Sequence, residues 1–261
     1  MQQDDILRIT LVQYDIAWED KQKNLNRIES IVSELAGQTD VIVLPEMFST
    51  GFTMNSRNLA EPTDGKTIGQ IKEWAAKSDV AICGSYIAVE DGTYYNRGFF
   101  IAPGEEYYYD KRHLFRMSTE PESFSAGKSC LIFEHKGFRI CLQICYDLRF
   151  PVWTRNVNNE YDLLIYTANW PASRIKVWET LLPARAIENM SYICGVNRVG
   201  TDGNGLVYNG CSKLINARGE EISNIGISQE QAETVQISKT GLETFRAKFP
   251  VWKDADEFKI Y

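Results

Sequence analysis

The chain has 261 residues, 44% of them hydrophobic and 24% charged, with a net charge of −7. Its apolar and aromatic content excludes a disordered chain, and no apolar run approaches the ~20 residues that a membrane-spanning helix needs. The acidic balance, with no basic tail or block, excludes the positive face that a nucleic-acid partner requires.

Strand-like and helix-like segments alternate along the sequence. Residues 6–13 (ILRITLVQ) predict a strand. Residues 18–36 predict a helix, because Leu25, Ile28, Ile31, Val32 and Leu35 recur at helical spacing. The short apolar run at 39–45 predicts a strand buried on both faces. A second amphipathic helix is expected at 65–77. Residues 79–90 and 94–103 predict a hairpin across Asp91-Gly92, and 130–144 predict another turning at Lys136-Gly137. The aromatic stretch from Glu106 toward Phe124 reads as extended chain or loop. Residues 161–168 predict a buried strand, 173–190 a long helix with Pro183 inside it, and 191–200 a further strand. Gly-rich hairpins run to about 238, and 239–261 form an aromatic, charged tail. Mixed hairpins and crossover helices fit one α/β domain over 1–261, with its core at about 6–238.

The first residues are acidic and pass directly into an alternating pattern, unlike a basic-then-apolar leader. Six cysteines are widely spaced, mostly in apolar runs. The expectation is a cytoplasmic protein with reduced thiols. Several motifs are excluded. Gly65-Lys66-Thr67 and Gly127-Lys128-Ser129 lack the upstream glycine of a phosphate loop, having Ala60 and Glu122 there. Gly203-Asn204-Gly205 is not a dinucleotide fingerprint, and a Ser-hydrolase elbow is absent. With His113 and His135 as the only histidines, zinc sites built on His pairs are excluded.

Three places break the structural pattern. Glu46 follows a buried strand and Pro45, where α/β folds build sites, and a carboxylate leaving a core suits a general base. Cys145 ends the run Ile140, Leu142, Ile144. A cysteine at such a strand-to-turn junction meets backbone N–H groups that stabilise a thiolate, with a helix expected to begin near Pro151. Lys111 follows an aromatic run and could supply a fixed charge for an oxyanion. Each residue also has an ordinary structural explanation: a cap, a core thiol, a surface lysine.

Together, LPEMF around Glu46, YDKRHLF around Lys111 and ICYDLRFP around Cys145 resemble the nitrilase superfamily of carbon–nitrogen hydrolases. ANWPASR and ARAIENMSYICGVNRVG extend the resemblance over nearly the whole chain. It implies an α-β-β-α sandwich. It also implies a homodimer or higher homo-oligomer, with the 173–190 helix and the tail as candidate contacts. It assigns Glu46 as general base, Lys111 as oxyanion stabiliser and Cys145 as nucleophile, with no metal or organic cofactor. A second glutamate often completes the group; Glu120 fits that place best, with Glu122 as the alternative.

Arg149 lies where a guanidinium would capture a substrate carboxylate, or would pair with Asp147. CYDLRF and PEMFSTGF resemble the ω-amidase branch, which cleaves the terminal amide of short α-keto dicarboxylic monoamides such as 2-oxoglutaramate and 2-oxosuccinamate. The Tyr146 N–H would share the oxyanion with Lys111, and Phe48, Phe52 and Trp170 would form apolar walls. Within the class, an N-carbamoyl amino acid hydrolase or an aliphatic amidase remains open. From other classes, a cysteine–histidine hydrolase using His113 and a non-catalytic binding protein remain as alternatives.

Overall fold

Alternation of apolar side chains along the strands decides the layering, because successive residues of a strand face opposite ways. A computed structural model describes residues 5–256 and 258. In chain order its elements are β1 (Ile6–Gln13), α1 (Lys21–Leu35), β2 (Val41–Val43), α2 (Ser56–Leu59), α3 (Lys66–Ser78), β3 (Ala81–Glu90), β4 (Thr93–Ala102) and β5 (Glu105–Asp110). There follow α4 (Glu120–Ser123), β6 (Leu131–His135), β7 (Phe138–Ile144), β8 (Leu163–Ala168), α5 (Ile175–Asn189) and β9 (Tyr192–Asn197). The chain continues through β10 (Val199–Thr201), β11 (Val207–Asn209), β12 (Lys213–Ile215), β13 (Gln231–Ser238) and α6 (Lys239–Lys248).

Two sheets carry the fold, in the orders β13-β1-β2-β3-β4-β5 and β12-β9-β8-β7-β6, with β10-β11 as a separate ribbon. β1, β2 and β3 run parallel, as do β7, β8 and β9. All four of these parallel pairs need crossovers, and α1, α3 and α5 lie in three of them. Leu7, Ile9, Val41 and Val43 of the first sheet meet Ile140, Leu142, Ile144, Leu163 and Ile165 of the second in one apolar layer. On the outer face of the first sheet, Ile42 and Ile82 pack with Leu25 and Ile28 of α1 and Ile71 and Trp74 of α3. On the outer face of the second, Leu164 and Tyr166 pack with Trp178, Leu182 and Ala186 of α5. The result is the α-β-β-α sandwich that the resemblance implied.

Local chemistry sets the element ends. Asp20 Oδ1 accepts the Lys23 N–H at 3.0 Å and caps α1. Asp91 and Gly92 turn the β3-β4 hairpin with φ of 49° and 74°, the left-handed pair that a two-residue hairpin favours.

Of extended chain or loop for the aromatic stretch, the structure shows extended chain over Glu105–Asp110, a strand paired antiparallel with β4, with Lys111 at its end. Two expectations need correction. No helix begins at Pro151; a 3₁₀ turn covers Cys145–Arg149 instead. The segment 239–261 is not all tail, since Leu242 joins the inter-sheet core and Arg246 is buried. Arg246 donates to Asp162 Oδ1 at 2.7 Å and to the carbonyls of Met190 and Tyr161 at 2.8 and 2.7 Å. A role for residues 257 and 259–261 in a dimer contact lies outside the described residues.

Arg246→Ala removes the donor shared by a buried carboxylate and two buried carbonyls. It is expected to lower stability by about 2–3 kcal/mol in urea unfolding. A loss below about 0.5 kcal/mol would mean that α6 does not belong to the folded core.

Candidate active site

Strand ends deliver the three chemical groups to one place. β2 runs through Leu44 and Pro45 into Glu46, β5 ends one residue before Lys111, and β7 ends one residue before Cys145. Lys111 is pinned by its backbone: its N–H donates to the Asn96 carbonyl at 3.0 Å, and its carbonyl accepts the Gly127 N–H at 2.9 Å. A Cβ on Gly127 would sit 2.0 Å from the Asp110 carbonyl oxygen, so only glycine allows this approach.

Lys111 Nζ lies 2.8 Å from Glu46 Oε1 and 2.9 and 3.1 Å from the two oxygens of Glu120. The three side chains are 0–1% exposed, so the cluster is fully desolvated. Burial opposes the ammonium, but the charges of Glu120 and Glu46 outweigh it and hold Lys111 protonated, its pKa above the ordinary lysine value. For Glu120 burial dominates and raises the pKa, with Lys111 opposing. Neutral donors share the remaining negative charge. Asn96 Nδ2 donates to Glu46 Oε1 at 2.7 Å and to Glu120 Oε1 at 3.3 Å. The Asn169 N–H donates to Glu46 Oε2 at 2.9 Å, the Asn169 side chain to the Glu46 carbonyl, and the Phe115 N–H to Glu120 Oε2 at 2.5 Å.

Cys145 has a left-handed backbone, φ 44°, a conformation that costs a non-glycine residue about 1–2 kcal/mol. Asp147 holds the turn. Its Oδ2 accepts from the Ile144 N–H at 3.1 Å and Tyr109 OH at 2.8 Å, while Oδ1 accepts from the His113 N–H at 2.9 Å and contacts His113 Nδ1 at 2.8 Å. The thiol points toward the Asn169 carbonyl, 3.9 Å away. Burial, then the Glu46 carboxylate, push its pKa well above the ordinary value. The environment therefore favours the thiol, not the stabilised thiolate expected from the strand end alone.

A cavity of about 750 Å³ opens over these groups, lined in part by Lys111, Cys145, Tyr146, Arg149, Phe52 and Trp170. The guanidinium of Arg149 lies over the Trp170 ring, 5.3 Å from its centroid, and does not pair with Asp147. Glu120 is the glutamate brought to Lys111; Glu122 is exposed on the far side of the same turn. Phe48 is a correction: it is fully buried, packs edge-on against Phe99 at 5.7 Å and does not line the cavity. Its place after Glu46 turns it back into the core beneath α1 and α3. His113 stacks on Phe150 at 3.7 Å and is engaged by Asp147; it is not among the cavity-lining residues. Among the described residues, no group of three or more His, Cys, Asp or Glu could hold a metal ion.

Sequence reasoning missed Asn96, Asp147 and Asn169. Asn96 carries a partial signal, as a polar residue inside the strand-like run YYNRGFFIAP, and the structure buries it fully.

This geometry coincides with similarity across the chain. The family profile described as Carbon-nitrogen hydrolase matches residues 8–247. The chain belongs to that family. It is 43% identical to omega-amidase YafV of Escherichia coli (strain K12), covering 98% of this chain and 99% of that one. It is 30% identical to 2-oxoglutaramate amidase of Bacillus subtilis (strain 168), covering 94% and 96%. A solved CN-hydrolase superfamily protein of Xanthomonas campestris, with an arsenic adduct in its active site, superposes with a TM-score of 0.96. It is 42% identical, over 98% of this chain and 99% of that one.

A thiol held protonated should alkylate slowly at neutral pH. Carboxamidomethylation of Cys145, followed by peptide mapping, is expected to accelerate steadily from pH 7 to pH 9 as the raised pKa is approached from below. A rate plateau beginning below pH 8 would contradict the assigned direction of the shift.

Proposed function

We propose that this carbon–nitrogen hydrolase is an ω-amidase, cleaving the terminal amide of short α-keto dicarboxylic monoamides such as 2-oxoglutaramate and 2-oxosuccinamate. The observation that carries the reading is the meeting of Cys145 with the buried Glu46–Lys111–Glu120 cluster at one cavity wall. The names of the Escherichia coli and Bacillus subtilis relatives support the substrate class.

Glu46 takes the Cys145 proton as sulfur attacks the amide carbon, so thiolate forms only as the C–S bond does. The carbonyl electron pair moves to oxygen, where Lys111 Nζ and the Tyr146 N–H receive it. The Tyr146 N–H lies in the first turn of a 3₁₀ segment, where helical N–H groups have no intrahelical acceptor. The C–N bond then breaks, Glu46 returns the proton to nitrogen, and ammonia leaves a thioester. Water loses a proton to Glu46 as its oxygen attacks the thioester carbon. The C–S bond breaks, and that proton restores the thiol. Glu120 keeps Lys111 charged and in place; it does not touch the reacting atoms.

Arg149 faces the cavity from the Trp170 ring and receives the substrate carboxylate. Phe52 and Trp170 wall the short carbon chain. The same reading makes the protein a cytoplasmic homodimer or higher homo-oligomer. Its free cysteines support the compartment. Exposed Ile187 on α5 and Phe249 just past α6 support a second copy as the partner.

Ammonia release from 2-oxoglutaramate tests the reading, with asparagine, glutamine and an N-carbamoyl amino acid as comparison substrates. Wild type is expected to prefer the keto acid amide. Glu46→Gln is expected to lose roughly 10²–10⁴-fold in kcat, and Cys145→Ala all detectable turnover. Release from the N-carbamoyl substrate alone would keep the nucleophile and overturn the substrate class. Full activity in Cys145→Ala would overturn the mechanism.

A further inference from the structure

We infer that Arg174 is a second substrate-binding cation, which with Arg149 selects an α-keto carboxylate over an α-amino carboxylate. The inference rests on the ω-amidase reading and deepens it, since it gives the physical means of telling 2-oxoglutaramate from glutamine.

Besides Lys111, four charged side chains line the cavity: Glu19, Asp202, Arg149 and Arg174. The two acids are already satisfied by neutral donors. Glu19 accepts from Thr53 Oγ1 at 2.5 Å and Asn55 Nδ2 at 3.2 Å. Asp202 accepts from the N–H groups of Asn204 and Leu206 at 2.9 and 3.0 Å and from Tyr208 OH at 2.9 Å. Among the described residues, neither arginine forms an ion pair or donates a side-chain hydrogen bond. Each instead rests on an aromatic ring: Arg149 over Trp170 at 5.3 Å and Arg174 over Phe115 at 4.8 Å.

A cation–π contact uses no hydrogen-bond acceptor, so the N–H groups of each guanidinium stay free to donate. Both platforms are themselves fixed. The Trp170 N–H donates to Asn197 Oδ1 at 2.7 Å, and its indole Nε1 donates to the Arg174 carbonyl at 2.9 Å. The Phe115 N–H is held by Glu120, and its ring meets Tyr146 edge-on at 5.1 Å. Both cations therefore line the cavity on fixed rings, and the ring beneath Arg174 is tied through the Phe115 N–H to the cluster that orients Lys111. The two guanidinium groups offer donors only.

An α-keto acid suits them. The carboxylate and adjacent carbonyl present only acceptor oxygens, in a nearly planar array that two guanidinium edges can bind together. An α-amino acid places an ammonium at the same carbon, where it faces two cations that can accept no proton from it. Rejection follows from charge and donor–acceptor count, without any need for a tighter pocket.

The test measures kcat and KM of wild type, Arg174→Gln and Arg174→Lys on 2-oxoglutaramate and glutamine. Arg174→Gln is expected to raise KM for 2-oxoglutaramate roughly tenfold, the scale of one lost charge-assisted contact, with kcat changed less than about threefold. Its preference for 2-oxoglutaramate over glutamine is expected to fall about tenfold or more. Arg174→Lys, which keeps the charge without the fork, is expected to lie between the two. Equal losses on both substrates, or an undiminished preference, would overturn the inference while leaving the ω-amidase reading in place. A wild-type preference for glutamine would overturn both together.

Discussion

Everything at the catalytic end of this molecule depends on one buried ammonium held between two carboxylates. Lys111 is charged in a place without water, so its desolvation must be offset by Glu46 and Glu120 at hydrogen-bond distance. Removing one partner from such a cluster leaves an uncompensated charge, at a cost of about 3–5 kcal/mol. The cluster carries one more negative than positive group, and the surplus is spread over neutral donors from four further segments: Asn96, Asn169, Phe115 and, through Asn96 Oδ1, Ser85. The ends of β2 and β5 and the start of α4 are thereby locked at fixed spacing, which is what a preorganised site requires.

Cys145, the proposed nucleophile, is held by a separate device. Cys145 adopts a left-handed backbone that would relax in a free peptide. Asp147 prevents that by accepting from the strand end before the cysteine and from Tyr109 and His113 at β5 and just beyond it. The turn is therefore fastened to the chain that carries Lys111. The two devices meet at the thiol, whose proton is retained by burial and by Glu46. In the proposed mechanism chemistry therefore begins from a neutral thiol, with Glu46 as the base.

Glu46 and Cys145 stood out in the sequence because each follows an apolar run that ends abruptly, and strand ends are where such folds place chemistry, while Lys111 stood out only by following an aromatic run. The layers were legible for a similar reason, through the period-two pattern of Ile140, Leu142 and Ile144 and the helical period of α1. What was not legible depends on contacts between distant segments. Asp147 looked like an ion-pair partner for Arg149, but tertiary structure gives it two backbone amides, a tyrosine and a histidine. Phe48 was offered with Phe52 and Trp170 as an apolar wall, but the chain, left-handed at Met47 with φ 45°, carries it into the core. The tyrosine-rich strand β5 has little alternation to announce it, and its identity comes from pairing with β4.

The central claim is that turnover passes through a thioester on Cys145. Acid-quenched first-turnover samples with 2-oxoglutaramate, digested and analysed by mass spectrometry, test it directly. The account predicts that the peptide carrying Cys145 gains the mass of the substrate less ammonia, and that the gain disappears on treatment with hydroxylamine. Steady release of ammonia with no adduct on that peptide at any quench time, together with an adduct on another residue, would contradict it.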